Sequence, residues 1–277
     1  MKTLIFSDLH NRHAKANALM EKITWDKCIL LGDYFDYWND TPYHVRDTAL
    51  WLRDVVLPNK NITSLIGNHC IAYFHSYNER MRRDGFSIPK RDAIFSVLNR
   101  DHIDTFKWYH EQDGFLFSHA GISNLLFKEM QLSKPEDRSL ATLLPEFIAK
   151  SVHNLTVCQP APFFEAGYDR GGEERYGGIL WGDWGSFMPI KGVNQIVGHT
   201  PHNVPEVFLQ LEDGTLKRFN VFEYEWNRAK YKNTITSLNY ALDTHNEHYM
   251  TIDDGVVTIW DWKTHEPVRG SEAIHSY

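Results

Sequence analysis

Five times along this chain a short apolar run ends in a residue that seeks a metal ion. Leu4-Ile5-Phe6 leads into Asp8-Leu9-His10, Cys28 to Leu31 into Gly32-Asp33, and Ile62 to Ile66 into Gly67-Asn68-His69. Phe115-Leu116-Phe117 leads into His119-Ala120-Gly121, and Val193 to Val197 into Gly198-His199-Thr200-Pro201. Short apolar runs closed by turn residues read as buried strands, and open α/β sheets assemble their sites at the ends of such strands. The pattern therefore predicts an α/β chain whose five loops converge on one place. A single Asp after Gly serves equally well as a turn or helix-cap residue. Together the loops supply two carboxylates, three histidines and an asparagine amide, a donor set suited to Mn, Fe or Zn rather than to soft metals.

The ordered blocks D-x-H, G-D-x-x-D, G-N-H, H-A-G and G-H-T-P, spanning residues 8 to 201, resemble the calcineurin-like metallophosphoesterases. Leu238-Asn239-Tyr240-Ala241-Leu242-Asp243-Thr244 is similar to the strand that follows the last ligand in phosphoprotein phosphatases and bacterial diadenosine tetraphosphatases. The resemblance implies a two-sheet β-sandwich flanked by helices, with a dinuclear metal site where the strand ends meet. It implies that Asp8 and His10 bind a first divalent ion, that Asp33 bridges two, and that Asn68, His119 and His199 hold the second, with Mn favoured. Relatives that act as phosphodiesterases end in G-H-x-H; here Pro201 stands at the second histidine's place and His202 comes one residue late. This chain sides with the G-H-T-P branch.

Such a site suits phosphoester hydrolysis. A metal lowers the pKa of water far enough to provide hydroxide at neutral pH, and two ions about 3.5–4 Å apart clamp the attacking and leaving oxygens. Positioning and charge neutralisation then supply most of the rate. The resemblance further implies that His69 stays off the metals and protonates the leaving oxygen while Asp36 orients it. A carboxylate on one ring nitrogen sets the tautomer and leaves a proton on the other.

Two departures bear on substrate. The phosphatase branch reads G-D-x-x-D-R-G and G-N-H-E, whereas this chain has Asp36-Tyr37-Trp38 and His69-Cys70. The phosphate-gripping arginine after Asp36 is missing, and a dianionic monoester gains much from a guanidinium fork. Arg170 or Arg175 could supply that charge from another loop, or both belong to a solvated charged segment. Tyr37, in the aromatic run Tyr34 to Trp38, could stack on a base. Trp181, in Leu180-Trp181-Gly182-Asp183, resembles the L-W motif that shapes the substrate pocket of the phosphatase branch.

The expected activity is that of a phosphatase or nucleotide phosphohydrolase acting on a phosphoprotein or nucleotide. A phosphodiesterase for cyclic or linear nucleotides is the alternative, and a catalytically silent binding scaffold is the alternative of another class. A net charge of −7 over 277 residues argues against an extended nucleic-acid surface. Cys28, Cys70 and Cys158 show no paired spacing. The N-terminal apolar run is too short for a signal-peptide core and no long apolar stretch offers a membrane span, so a cytoplasmic location is expected.

With no linker visible, residues 1–277 read as one domain with mainly helical insertions around 72–113 and 123–154. Ala16, Leu19, Met20 and Ile23 follow helical spacing, Thr41-Pro42 offers a cap and first-turn proline to the next helix, and Ser123 offers a cap before Leu125. Strands are expected near 204–211, 216–222, 235–242, 248–252 and 256–260, with Asp253-Asp254-Gly255 as a hairpin turn. Ten histidines outside the motifs, His75 and His275 among them, read as surface or packing residues. His202, beside the last ligand, and His245, after Asp243-Thr244, stay open.

Overall fold

Parallel strand pairing explains why the loops meet. In the computed structural model of the protein, which describes residues 1–83, 85–133 and 138–268 and the backbone of 274 and 275, two six-stranded sheets face one another. Strands β1 (Lys2–Phe6), β2 (Lys27–Leu30) and β3 (Ile62–Ser64) run parallel in the first. The second contains β4 (Tyr109–Gln112), β5 (Phe115–Ser118), β6 (Asn194–Val197), β7 (Glu206–Leu211), β8 (Leu216–Asn220) and β9 (Ile235–Ala241). Its β5, β6 and β9 are parallel neighbours. The chain closes with β10 (His248–Asp253), β11 (Val256–Asp261) and β12 (Ile274–His275), which extend the first sheet antiparallel beyond β1. Strands that run parallel end on the same edge, so the residues after β1, β2, β3, β5, β6 and β9 share one rim.

The two-residue period of a strand divides each apolar run between two cores. Ile5, Ile29 and Leu31 pack with Phe115, Phe117, Ile196 and Tyr240 between the sheets. Leu4, Phe6, Cys28 and Leu30 face outward onto Ala16 and Leu19 of α1 (His13–Lys22) and Val45, Ala49 and Leu52 of and just after α2 (Pro42–Trp51). The expected Thr41-Pro42 start of α2 is seen, and the Thr41 backbone N–H donates to the His44 ring at 3.2 Å.

Helix α3 (Asn68–Phe74) begins on the ligand loop itself. The segment 72–113 continues with α4 (Ile88–Phe95) and α5 (Arg100–Ile103) and ends in the strand β4, which the mainly helical reading did not single out. Tyr-His-Glu-Gln carries no apolar alternation; it becomes a strand because it completes the open edge of β5. In 123–154 the described residues form α6 (Asn124–Leu132) and the start of α7 (Leu140–Thr156), and 134–137 lie outside them. A correction concerns 216–222. The strand stops at Asn220, whose side chain accepts from Glu223 N–H at 2.9 Å while Glu223 accepts from Asn220 N–H at 3.2 Å. This reciprocal cap starts α8 (Val221–Tyr231), a helix the strand expectation missed. The expected hairpin turn is present, with Asp254 and Gly255 both at positive φ. No helix among the described residues is long and apolar enough to cross a membrane.

His75 ends α3 in full burial, bonded to the Tyr77 hydroxyl at 2.9 Å, and is a packing residue as expected; the side chain of His275 lies outside the described residues. Burial, helped by Arg100, lowers the His75 pKa to about 4. The unfolded chain takes up a proton here near pH 6.5 and the folded chain refuses it, so this residue's contribution is intact above that pH and lost as pH falls towards 4. Between pH 7 and pH 5 wild type should lose about 2 kcal/mol more stability than His75→Gln. Urea unfolding of both proteins at the two pH values checks this, and equal losses would contradict it.

Candidate functional site

The rim loops are held in backbone conformations that few side chains tolerate. Asp8, His10, Asp33, Asp36 and His199 all adopt positive φ, between 43° and 68°. Such residues are strained by about 1–3 kcal/mol each and persist only where the surroundings over-determine them. Here the loops are stitched to each other. His10 N–H donates to Asp33 O at 2.8 Å, Gly198 N–H to His119 O at 2.8 Å, His199 N–H to the Asp8 carboxylate at 3.1 Å, and His69 N–H to Asp33 Oδ1 at 2.8 Å. Gly67 and Gly198 are required by proximity, because a Cβ on either would collide with the carboxylate of Asp33 or Asp8.

The side chains these loops carry converge. Asn68 Oδ1 lies 2.7 Å from His119 Nε2 and 2.9 Å from His199 Nδ1, and His119 Nε2 lies 3.3 Å from Asp33 Oδ2. Two groups of donors could hold a cation, Asp33 with His119 and His199, and Asp8 with His10 and Asp33. The outer nitrogens fix the tautomers. His119 Nδ1 is 3.0 Å from Leu31 O and His10 Nδ1 is 2.8 Å from Phe35 O. A carbonyl only accepts, so Nδ1 carries the proton in each neutral ring and Nε2 presents a lone pair to the site. His119 Nε2 then faces an amide oxygen and a carboxylate oxygen, lone pair against lone pair, which a divalent cation relieves.

Without a cation the strain falls on the protonation states. Burial pushes Asp8 up to about 6 against the attraction of His119, while Asp33 lies far below the carboxylate range because His119 and His69 outweigh its burial. Burial would lower His119, but Asp33 raises it to about 9, so a proton takes the cation's place. His199 is held well below its usual value by burial and by His119 and Arg170.

His69 stands apart from both donor groups. Its Nδ1 is 3.2 Å from Asp36 Oδ2, and its ring meets His10 edge-on at 5.3 Å. The other oxygen of Asp36 accepts from the Tyr73 hydroxyl at 2.6 Å and from Lys90 Nζ at 2.9 Å. Burial lowers the His69 pKa but Asp33 and Asp36 together raise it above the ordinary value.

These groups lie in a cleft of about 1310 Å³ lined by His10, Asp33, Asn68, His69 and His199, by Arg12, Arg80, Arg82, Arg83, Lys90 and Arg170, and by Tyr37, Trp38 and Trp181. Of the residues expected to meet substrate, Tyr37 lies beneath Arg12, Trp181 meets the His199 ring edge-on at 5.4 Å, and Arg170 donates to Thr200 Oγ1 at 2.9 Å while pairing with Asp183 at 2.6 Å. Arg175 is a correction: it is exposed, packs over Tyr176, and does not line the cleft. His202 is turned towards Glu206 at 3.5 Å, away from the cleft, whereas His245 lines it.

Asp243, Asn246, Lys90 and Arg83 also line the cleft, with no expectation attached to them from sequence. Asp243 follows β9 as the other rim residues follow their strands, and its burial beside Asp8 raises its pKa to about 7. Its signal was the same apolar run ending in a carboxylate. Lys90 and Arg83 come from the segment between α3 and the start of β4 and have no local signature.

A model of the calcineurin-like phosphoesterases matches residues 1–203. The chain belongs to that family. As a family member it is a metal-dependent phosphoester hydrolase. No curated protein sequence matches it significantly. Among solved structures it is similar to the cold-active protein-tyrosine phosphatase of a psychrophilic Shewanella species, at 14% identity and a TM-score of 0.53 over 97% of this chain and 80% of that one. It is similar as well to a metallophosphoesterase from Sphaerobacter thermophilus, at 14% identity and 0.43 over 98% and 89%. A protein serine/threonine phosphatase from Saccharomyces cerevisiae matches at 11% and 0.45 over 92% and 73%.

The packing of Gly67 and Gly198 gives a direct test of this phosphoesterase site. Gly67→Ala and Gly198→Ala should each weaken binding of a divalent metal ion by roughly tenfold or more, since they displace the carboxylates of Asp33 and Asp8, while thermal unfolding stays cooperative. Calorimetric Mn titration checks it; unchanged affinity in both variants would contradict the geometry.

Proposed function

We propose that the chain is a phosphatase or nucleotide phosphohydrolase that works with two divalent ions, Mn being preferred. The observation that carries this reading is the cluster in which Asn68 Oδ1 meets His119 Nε2 and His199 Nδ1 while His119 Nε2 also meets Asp33 Oδ2, with His69 close by but outside it. Asp8 and His10 would hold the first ion, Asn68, His119 and His199 the second, and Asp33 both. When bound, the ions supply a water of lowered pKa and neutralise charge on the phosphoryl oxygens.

The chain's own groups do the rest. Asp36 holds His69 through Nδ1, which leaves Nε2 to give a proton to the leaving oxygen. Tyr73 and Lys90 occupy the other oxygen of Asp36, so the carboxylate cannot swing away from the ring. Arg170, kept in place by Asp183 and Thr200, adds positive charge to the cleft wall beside His199. The missing arginine after Asp36 favours a phosphodiesterase as the second reading, and His202, which pairs with Glu206 and does not line the cleft, counts against it.

Two outcomes test the proposal. Elemental analysis should find two divalent ions per chain, and chelation or Asp33→Asn should abolish hydrolysis, because a neutral amide cannot balance two ions; one ion with full activity would contradict it. His69→Ala should keep both ions yet slow alkyl phosphoesters by roughly 10²–10⁴, while activated aryl esters, whose leaving groups need no proton, suffer far less. Equal losses on both ester types would assign His69 to phosphate binding instead.

A further inference from the structure

Trp38 is the most exposed tryptophan or tyrosine of the cleft. It lines the cleft wall with 83% of its surface in water, whereas Tyr37 lies beneath the Arg12 guanidinium, 4.4 Å from the ring centroid. The turn that presents it is held firmly. Asp40, whose side chain is 5% exposed, accepts from the Tyr37 N–H and from Asn11 Nδ2, and its own N–H donates to Tyr37 O at 3.1 Å. Behind the turn, Asn11 N–H donates to Tyr34 O at 2.7 Å and ties it to the loop of the first donor group. An indole fixed in water is a large apolar face with no intramolecular cover, and a flat partner gains by covering it.

The turn stands on the side of the site from which a leaving group departs. Trp38 follows Asp36 by two residues, so the two Cα atoms are at most ~7 Å apart. Asp36 holds His69 through Nδ1 at 3.2 Å. If His69 protonates the leaving oxygen, the group attached to that oxygen lies towards this part of the wall.

We propose that Trp38 stacks on the base of a nucleotide whose nucleoside is the leaving group, which makes nucleotides rather than phosphoproteins the substrate class of this site. The assignment rests on the phosphoesterase reading above. Hydrolysis breaks the bond between phosphorus and the sugar oxygen; water supplies the oxygen that phosphate gains, and His69 the proton that the nucleoside gains. Two features favour a nucleoside over a tyrosyl ring. Asn39, exposed next to Trp38 and lining the cleft, carries an amide donor and acceptor, the groups that base edges use and a phenyl ring lacks. A sugar hydroxyl is also a poorer leaving group than a phenol, so it draws more on an acid steadied by Asp36, Tyr73 and Lys90.

The test compares adenosine 5′-monophosphate with ribose 5-phosphate, which shares the ester and lacks the base, on metal-loaded wild type, Trp38→Ala and Trp38→Phe. O-phosphotyrosine and p-nitrophenyl phosphate serve as further substrates, and metal content and thermal unfolding are measured on each protein. Wild type should prefer the adenosine ester roughly 5- to 100-fold in kcat/KM, the worth of one stacked base. Trp38→Ala should lose that preference while changing less than about twofold on ribose 5-phosphate, and Trp38→Phe should keep part of it. Adenosine, which carries no phosphate, should inhibit wild type more strongly than Trp38→Ala. An adenosine-to-ribose ester ratio near one in wild type, or the same ratio in Trp38→Ala, would overturn the role of Trp38 and leave the phosphoesterase reading standing. Phosphotyrosine turnover that falls in Trp38→Ala while adenosine ester turnover holds would assign the indole to a protein substrate and overturn the nucleotide assignment. So would activity on p-nitrophenyl phosphate with none on the adenosine ester. Wild-type inactivity on all four esters would overturn the phosphoesterase reading and this assignment with it.

Discussion

Electron-rich atoms pressed together at the rim of two sheets are the constraint around which this protein is organised. His119, held through Nδ1 by the Leu31 carbonyl behind it, turns Nε2 onto Asn68 Oδ1 at 2.7 Å and Asp33 Oδ2 at 3.3 Å in a buried setting. Such an arrangement is unfavourable in low dielectric unless positive charge is brought in. The fold brings them together, since strands that run parallel in each sheet end on the same edge, where β1 is followed by Asp8 and His10, β2 by Asp33, β3 by Asn68, β5 by His119 and β6 by His199. The strain recorded in the positive φ of Asp8, Asp33 and His199 belongs to the same design, and the inter-loop hydrogen bonds keep it from relaxing.

Rigidity and access are divided between the two ends of this arrangement. The carboxylates of Asp33 and Asp8 are closed in by Gly67 and Gly198, where a single added carbon would meet a carboxylate. His69 is instead a quarter exposed, and it is steered by a carboxylate whose second oxygen is already taken by Tyr73 and Lys90. A proton donor must meet solvent and substrate, whereas a ligand must not move; in the roles proposed for them, Asn68 and His69 would meet both demands as neighbours on one loop.

Much of this was legible in the sequence because the information is local. An apolar run followed by Asp, Asn or His states both the strand and the donor at its end, which is why Asp8, His10, Asp33, Asn68, His119 and His199 could be named without coordinates. Local reading failed where a partner decides the outcome. Tyr109 to Gln112 has no strand pattern and becomes β4 only because β5 offers an open edge. Asn220 and Glu223 did carry a helix-start signal, but the apolar residues around them were read as one strand. Lys90 and Arg83 reach the cleft across long sequence separations, from a segment whose charge looks like ordinary surface; Arg175, with the same composition around it, turns outward onto Tyr176. Charge in a sequence says that a residue seeks water or a counter-ion, not which one it finds.

The central claim is that the strand-end donors are built for two ions sharing Asp33. Anomalous diffraction at the manganese edge from crystals grown with Mn tests it most directly. The account predicts two peaks about 3.5–4 Å apart, one among Asp8, His10 and Asp33 and the other among Asp33, Asn68, His119 and His199. A single peak, or two peaks that do not share Asp33, would contradict it.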